Sequence, residues 1–288
     1  MLKKLIQNYQ FQGLKGIKNA FQNKLFPQSS ALTNQCEELF KDALGIEIGG
    51  KTPLFEEHSI LPIYQLPKNL DNCNFSNNTT WEGNISEGDT FQFNKNSKPG
   101  RQYVCEASKL SPIEDNSYDF LLSSHVIEHL ANPIKGLNEW KRVVKENGHL
   151  LLVIPHKEGT FDHKREVTKF EHLLNDYQEN ISEEDLTHLE EICDFTDLTF
   201  EGITINEMKE RSFKNFENRL FHHHVFNTPL VVELLNYLNL QIIGLEAIRP
   251  YHINVLAKKI SNNETADNTN FFPPINNFQS FLNSDYSK

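Results

Sequence analysis

The sequence predicts an α/β fold in which a mostly parallel sheet carries helices on both faces. Three apolar runs, at residues 43–48, 118–123 and 149–154, have the length of buried strands. Between the last two runs, residues 133–145 place apolar side chains on one side of a predicted helix. Strands that are apolar throughout and alternate with such helices are typical of parallel sheets covered on both sides.

Length and charge narrow the class of protein further. The chain has 288 residues, which fits one elaborated domain or two smaller ones. It carries 28 Lys and Arg against 39 Asp and Glu, a formal net charge of −11, so nucleic acid is not an expected partner. No apolar run reaches about 18 residues, so no membrane span is expected.

The cysteines and the first residues indicate the compartment. The four cysteines lie far apart and form no CxxC pair, which predicts neither a disulfide framework nor a zinc knuckle. The N-terminal lysines are not followed by a continuous apolar stretch, so no secretory signal is expected. We therefore expect a cytoplasmic protein with reduced thiols. The sequence does not predict the oligomeric state.

The two ends of the chain differ from its centre. Residues 1–36 contain no acidic residue and have apolar positions at helical spacing, which predicts a basic helical lead-in. An interfacial membrane helix is the alternative for this segment. Residues 261–288 are rich in Asn and Ser and are predicted to be a disordered tail, although their phenylalanines could dock part of it. Residues 37–260 are predicted to form one domain.

The first predicted strand, at residues 43–48, runs into Gly49-Gly50. Thr52-Pro53 then provides an N-cap residue followed by a proline at the first helical position, which predicts a helix start. Residues 60–64 give a faint second strand. Later, Asn147-Gly148 ends the predicted helix before the strand at residues 149–154.

The segment from residue 156 to 225 breaks this alternation. Ser182 to Asp185 resembles a capping box, so the segment is predicted to be a helical insertion. It follows a central strand and could cover the carboxyl edge of the sheet, where open α/β sheets bind ligands. A helix at residues 229–238 and two strands, 240–248 and 252–257, are predicted to complete the domain as an antiparallel edge.

Residues 45–52 satisfy the P-loop pattern GxxxxGK[ST] literally. In a P-loop the first glycine follows the strand, whereas Gly45 lies inside the apolar run. Glu47 would also place a carboxylate beside the phosphate. A P-loop nucleotide site is therefore the weaker alternative, and the third glycine of a dinucleotide fingerprint is absent.

A strand that ends in an acidic residue and two glycines suits a cofactor with a positive charge and an adenosine. With residues 46–50 as the first block, four blocks resemble those of class I S-adenosylmethionine-dependent methyltransferases in the same order. The other three are residues 106–110, 123–130 and 142–155. Residues 228–259 resemble the last helix and strand pair of that family.

The resemblance implies a Rossmann-like, seven-stranded and mostly parallel sheet with helices on both faces. It also implies an antiparallel C-terminal strand pair and places the helical insertion after the fifth strand. The Glu-Ile-Gly-Gly turn is similar to that of a subgroup often linked to modification of sugars and other small metabolites.

The resemblance also assigns the methionine end of the cofactor site. Gly49 and Gly50 would line the methionine portion of S-adenosylmethionine, and Glu47 would reach its amino group directly or through water. A carboxylate that only caps the next helix is the alternative for Glu47. The backbone of Ser124 and His125 would border the methyl region.

Three further residues are assigned to the nucleoside end. Asp71 is the candidate for the ribose hydroxyls, because a carboxylate can accept from both of them; an ordinary loop aspartate is the alternative. Glu106 and Ala107 match the place where the family holds adenine, with the Ala107 N–H directed at a ring nitrogen.

A hydroxyl acceptor benefits from a general base or a metal ion, and histidine is the usual base near neutral pH. The candidates near the predicted carboxyl edge are His125, His156 and His163, the last with Asp162 as a possible orienting carboxylate. A solvated charged loop is the alternative for His163, and His129 is predicted to be a helix-packing residue. Side chains of neighbouring residues in an extended segment point to opposite faces, so residues 222–224 are not predicted to bind a metal.

The expected function is transfer of a methyl group to a small acceptor, most simply a hydroxyl of a sugar or glycan precursor. The acceptor class depends on the subgroup resemblance. The alternative from another class is a partner module that binds S-adenosylmethionine without turnover.

Overall fold

The computed structural model describes residues 29–200 and 202–272. Its strands are β1 (Leu44–Ile48), β2 (Asn69–Asn74), β3 (Asn78–Thr79), β4 (Gly83–Asn84), β5 (Gly88–Phe91), β6 (Gly100–Val104), β7 (Tyr118–Ser124), β8 (Val144–Pro155), β9 (Leu240–Ile248) and β10 (His252–Lys259). Its α-helices are α1 (Thr33–Phe40), α2 (Pro133–Val143), α3 (Phe170–Gln178), α4 (Leu189–Phe195), α5 (Ile205–Phe213), α6 (Asn215–Asn218) and α7 (Thr228–Tyr237).

Eight strands form one sheet in the order β5-β6-β2-β1-β7-β8-β10-β9. The five strands from β6 to β8 are parallel, and β10 pairs antiparallel with both β8 and β9. The predicted mostly parallel sheet with an antiparallel C-terminal pair is thus confirmed. Within residues 29–200 and 202–272 the sheet has eight strands instead of seven, because β5 adds an antiparallel edge beside β6.

The alternation of side chains along the central strands explains why both faces are covered. In β7, Phe120 and Leu122 belong to one buried cluster and Leu121 to the other. On the first face, Phe40 from α1 stacks on Phe120 with ring centroids 4.2 Å apart. On the second face, α2, α3 and α7 pack against the sheet, with Trp140 of α2 fully buried. Burial on both faces is what the continuous apolar runs predict.

Two predicted elements that follow β1 differ from the structure. The strand predicted at residues 60–64 is wrong: this segment is irregular, and the second strand is β2. Leu61, Ile63 and Tyr64 are buried nevertheless, so their apolar character reports burial and not strand pairing. Thr52 does cap the turn that Pro53 starts, but only a three-residue 3-10 helix follows.

The predicted helical segment after β8 contains α3, α4, α5 and α6. The helix start predicted at Ser182 is wrong, because α4 begins at Leu189. The capping box is found instead at Thr204 and Glu207, at the start of α5. The limits of a separate insertion at residues 156–225 stay a prediction.

The predicted terminal segments are described only in part. Residues 1–28 of the lead-in and 273–288 of the tail lie outside the described residues, and α1 spans the boundary predicted after residue 36. Asn268 is buried and bonds to the backbone of Ile242 and Leu240, which differs from the disorder predicted for this part of the tail. Among the described residues, no helix has the length and hydropathy needed to cross a bilayer.

Candidate active site

A cavity of about 680 Å³ lies at the carboxyl edge of the parallel strands. Its wall contains residues that follow four strands: Gly49 after β1, Phe75 after β2, Ala107 after β6 and His125 after β7. Strand β1 pairs with β2 on one side and with β7 on the other, so the chain reverses its direction of winding at this point. Open α/β sheets bind ligands at such a switch point.

The double glycine makes the tight corner that opens this cavity. Gly49 lines the cavity and has φ +77°, and a Cβ there would come within 2.5 Å of the Val126 side chain. A Cβ on Gly50 would overlap the carboxylate of Glu47. The Gly50 carbonyl also accepts a hydrogen bond of 3.0 Å from Asn74 Nδ2. Side chains at either position would therefore disturb the corner.

Glu47 lies beneath this corner and not in the cavity wall. Its carboxylate is fully buried and accepts from the Tyr64 hydroxyl, with distances of 3.0 and 2.9 Å to its two oxygens. The same hydroxyl accepts from the Thr52 N–H at 2.8 Å. Burial raises the pKa of Glu47 to about 8. This geometry favours support of the loop over direct contact with a cofactor.

Asp71 does not fit the predicted ribose contact. It is the third residue of β2, and its carboxylate accepts hydrogen bonds from Asn69 Nδ2, the Arg101 N–H and the Tyr118 hydroxyl at 2.8, 2.8 and 2.7 Å. Strand β2 continues to Asn74, so the carboxyl edge lies three residues further along the chain. The expectation that Asp71 ends the second strand is corrected, because that strand lies at Asn69–Asn74 and not at residues 60–64.

Glu106 and Ala107 both line the cavity, as does Ser124. The Ala107 carbonyl accepts from the Trp140 indole N–H at 2.9 Å, which anchors this loop to α2. Glu106 forms an ion pair with Arg219, whose guanidinium also lies 5.1 Å from the ring centroid of Phe75. No sequence signal marked Arg219, because it lies 113 residues after its partner in a segment without a motif.

A second cavity of about 330 Å³ adjoins the first. The two cavities share Trp81, His125, His129 and Tyr251 in their walls, and Glu128 lines only the smaller one. The predicted candidate His125 thus lies at the junction. His129, predicted to be a packing residue that hydrogen-bonds nearby backbone, lies there too and makes such a bond to the Phe221 carbonyl. The helix expected around it is only a 3-10 turn, Ile127–His129.

The tautomer of His129 follows from its hydrogen bond. Its Nδ1 lies 3.2 Å from the Phe221 carbonyl, which can only accept, so Nδ1 carries the proton and Nε2 has the lone pair. Burial lowers the pKa of His129 to about 4, so the ring is neutral at pH 7. His129 Nε2 lies 3.9 Å from Glu128 Oε1.

Glu128 is a buried carboxylate among imidazoles. Neither of its oxygens accepts a hydrogen bond within the described part of the chain. Burial opposes its charge, but His125 and His129 hold the pKa of Glu128 below its ordinary value. His125 Nδ1 lies 3.5 Å from Glu128 Oε1, and His125 Nε2 lies 3.0 Å from His252 Nδ1.

The other two histidine candidates line neither cavity. His156 Nδ1 accepts from the Glu158 N–H at 3.3 Å and caps a short 3-10 turn. His163 Nε2 lies 3.0 Å from Asp197 Oδ2. Both are held by local contacts, so the structure does not bring them together with His125.

Two groups of side chains within the described residues have the composition of a metal site. One consists of Glu128, His129 and His222, and the other of His172, His188 and His224. Residues 222–224 point to separate places, as expected: His222 contacts Asp162, His223 contacts Asn215 and His224 approaches Asp176.

Comparison with known proteins identifies one segment directly. Residues 79–152 match the family model of a methyltransferase domain. A 56-residue stretch is 36% identical to an uncharacterized protein of Methanocaldococcus jannaschii and covers 19% of this chain. That stretch spans 24% of the curated relative, or about a quarter of its length.

Solved methyltransferase structures are similar over most of the chain. One is an S-adenosylmethionine-dependent methyltransferase from Aquifex aeolicus, with TM-score 0.42, 14% identity and coverage of 86% of this chain and 97% of that one. Another comes from Methanosarcina mazei, with TM-score 0.45, 16% identity and coverage of 81% and 99%. Both TM-scores are below 0.5.

The matched segment includes β6, β7 and most of β8, and it supplies Glu106, Ala107, Ser124 and His125 to the cavity wall. The sheet around it has the parallel core and antiparallel C-terminal pair that the sequence resemblance implies. Residues 79–152 are therefore similar to part of a methyltransferase domain, and they lie in a sheet with the architecture that the resemblance to class I implies.

Proposed function

We propose that this protein transfers a methyl group from S-adenosylmethionine to a hydroxyl of a small acceptor, with a sugar or glycan precursor as the leading class. The observation that carries the proposal is the pair of adjoining cavities at the switch point of the sheet, with histidines in their shared wall. The larger cavity suits the cofactor, and the smaller one suits the acceptor.

The larger cavity fits the cofactor in size and chemistry. Small-molecule sites typically enclose about 300–1,000 Å³ and combine apolar walls with a few polar groups. Gly49 lets a ligand approach the backbone, and Phe75 and Ala107 provide apolar contacts on the nucleoside side. Arg219 Nη1 is buried without a hydrogen-bond partner among the described residues, so it can bind a polar group of the ligand.

The cofactor, when bound, supplies a methyl group already activated by a sulfonium. The protein must then orient the acceptor, exclude water and take up a proton. We assign the proton to His129, because its Nε2 lone pair lies at the junction of the cavities. Glu128 would stabilise the imidazolium that results, and His125 would hold Glu128 in place.

The smaller cavity has the mixed lining that a hydroxyl-bearing ring needs. Phe161 and Trp81 provide aromatic faces, while His222 and Thr160 provide polar atoms. Aromatic faces pack on the C–H surface of a sugar, and polar atoms bind its hydroxyls. The subgroup resemblance of the Glu-Ile-Gly-Gly turn supports the same acceptor class.

The two alternatives are less well supported. Gly45 lies within β1, where a Cβ would overlap the ring of Phe120, so this glycine cannot open a phosphate-binding loop. Lys51, the residue a P-loop would direct at phosphate, lies 3.6 Å from Glu56. A module that only binds the cofactor has no need for the neutral imidazole at the junction.

The proposal is tested by turnover. The full chain is incubated with S-adenosylmethionine and a panel of sugars, nucleotide sugars, phenols and carboxylic acids, and S-adenosylhomocysteine is quantified by mass spectrometry. We expect product only with hydroxyl-bearing acceptors, together with an acceptor that has gained one methyl group. Cofactor binding without product across the whole panel would favour the non-catalytic module.

A further inference from the structure

A second group of histidines lies outside both cavities, between α3, the start of α4 and the segment that precedes α7. Three imidazoles converge there, from His172, His188 and His224, and the carboxylate of Asp176 joins them. The ring centroid of His172 lies 4.9 Å from that of His188 and 5.8 Å from that of His224. None of the four residues lines either cavity.

Two distances between donor atoms match the edges of a tetrahedron. His172 Nε2 lies 3.1 Å from His188 Nε2 and 3.3 Å from Asp176 Oδ2. Zinc binds nitrogen and oxygen at roughly 2.0–2.1 Å, which places neighbouring tetrahedral ligands about 3.3 Å apart. Both measured edges lie close to that value, and one ligand atom from each of the three imidazoles lies within 4.8 Å of the others.

Hydrogen bonds among these four side chains leave some of their polar atoms without a partner. Asp176 Oδ2 is buried and accepts no hydrogen bond from the described residues. The Nε2 atoms of His172 and His188 face each other, so a single proton is shared between two acceptors. A cation would satisfy both lone pairs and the carboxylate together, which a proton cannot do.

The surroundings prepare these side chains as ligands. His188 Nδ1 lies 3.3 Å from Glu191 Oε2, so its proton is held on that side and Nε2 is directed into the group. His224 Nε2 lies 3.3 Å from the Ala131 carbonyl, which can only accept, so Nδ1 has the lone pair. This buried Nδ1 has no hydrogen-bond partner among the described residues and is available as a ligand. His172 and Asp176 are four residues apart on α3 and therefore lie on one face of that helix.

We propose that His172, Asp176, His188 and His224 form a tetrahedral site for a divalent transition-metal ion of the zinc type. The ligand set of three imidazoles and one carboxylate suits zinc, and four protein ligands make a closed, structural site. The ion would tie α3 to the start of α4 and to the segment that carries Arg219 and His222 into the two cavities. The site stands on its own geometry and does not depend on the proposed reaction.

The test measures bound metal. The full chain is stripped with EDTA, reconstituted with zinc, passed through a desalting column and analysed for metal by mass spectrometry, with the thermal midpoint recorded in parallel. We expect one zinc ion per chain and a midpoint that rises on reconstitution. His172→Gln, whose side chain is 41% exposed, and Asp176→Asn should each reduce the zinc content at least tenfold. His58→Gln, on an exposed residue, is the matched control and should retain the ion.

Other outcomes would overturn the proposal. If the unaltered protein binds no zinc, the group is a hydrogen-bonded network only. If Glu128→Gln removes the ion while His172→Gln retains it, the ion belongs at the junction of the cavities. Cobalt substitution of the unaltered protein gives an independent reading, because tetrahedral cobalt absorbs visible light strongly, and an octahedral spectrum would contradict the assigned geometry.

Discussion

Burial sets the charge of the residues that matter most at the site. Glu47 is fully buried and His129 is largely buried, and in both cases burial favours the neutral form. For Glu47 the neutral form supports the loop, and for His129 it leaves the lone pair that the proposed reaction uses. The same physical effect thus serves structure at one position and chemistry at the other.

Replacing His129 with Gln should lower turnover by about 100-fold, the range typical of a lost general base. Cofactor affinity should change little, because the side chain lies at the acceptor end of the larger cavity. The control is His163→Gln, whose contact with Asp197 lies outside both cavities and whose turnover should stay near that of the unaltered protein. S-adenosylhomocysteine formation and cofactor titration measure the two effects. Equal losses of turnover in both variants would remove His129 from its assigned role.

The raised pKa of Glu47 makes a prediction about stability and pH. The folded carboxyl has a pKa of about 8 against 4.5 for the ordinary group, so between these values the folded state binds the extra proton. Stability should therefore fall as the pH rises from about 5 to 8, by up to about 1.4 kcal/mol per pH unit. Glu47→Gln should remove this dependence, whereas Glu57→Gln, on an exposed residue, should retain it. Denaturant titrations of both variants at three pH values measure this dependence. If the free energy of unfolding changes with pH in the same way in both variants, Glu47 is not its source.

The glycine corner can be tested by a matched pair of substitutions. Gly49 and Gly83 both have positive φ, but a Cβ meets Val126 only at Gly49 and nothing within 4 Å at Gly83. Gly83→Ala should cost about 1–2 kcal/mol of stability from backbone strain alone and leave cofactor binding unchanged. Gly49→Ala should cost more and weaken cofactor binding at least tenfold. Equal effects of the two changes on binding would show that Gly49 does not shape the cofactor site.

Among the candidate site residues, the sequence predicted those that follow strands better than those whose position depends on long-range contacts. Gly49, Ala107 and His125 line the cavity because each lies within three residues of the end of a strand. Asp71 was expected at the end of the second strand because its own strand is polar and gives no apolar signal. Nothing in the sequence shows that Asp197 contacts His163.

Among the elements, the helical segment after β8 is braced internally by a buried arginine. Arg165 is 1% exposed and donates to Glu191 Oε1 at 3.0 Å, to Asp162 Oδ1 at 2.9 Å and to the His222 carbonyl at 2.9 Å. These partners come from three different segments of the chain. The guanidinium therefore fixes the wall of the smaller cavity.

Arg165→Met should destabilise the protein by about 3 kcal/mol or more, because it leaves a buried carboxylate without its cation. Lys164→Met is the control: Lys164 lies 3.1 Å from Asp197, but its side chain is 55% exposed, so the loss should stay below about 1 kcal/mol. Denaturant unfolding measures both. A similar small loss in both variants would mean that Arg165 is not the anchor.

Elements were predictable where apolar residues decided them. Strands β1, β7 and β8 are apolar runs, and the predicted bounds lie close to the observed ones at β1 and β7. Strand β2, with the sequence Asn-Leu-Asp-Asn-Cys-Asn, gave no such signal. It is stabilised by polar contacts across strands, such as Gln102 Nε2 to Asn72 Oδ1 at 3.0 Å, which only the assembled sheet shows.

For the whole molecule, the sheet topology brings distant residues to one edge. The parallel core places the ends of β1, β2, β6 and β7 side by side, and the segment between α6 and α7 closes the site with Arg219 and His222. The position of the strand ends follows from the order of strands in the sequence, and the fold class was therefore predictable. The position of Arg219 and His222 depends on how the helical segment packs, which no periodicity in the sequence encodes.

The most direct test of the central claim is an isothermal titration of the full chain with S-adenosylmethionine, repeated with ATP and magnesium. The cavity at the switch point predicts one molecule of S-adenosylmethionine bound per chain, and no magnesium-dependent binding of ATP. Binding of ATP that is lost in Lys51→Ala, with no heat from S-adenosylmethionine, would contradict the account.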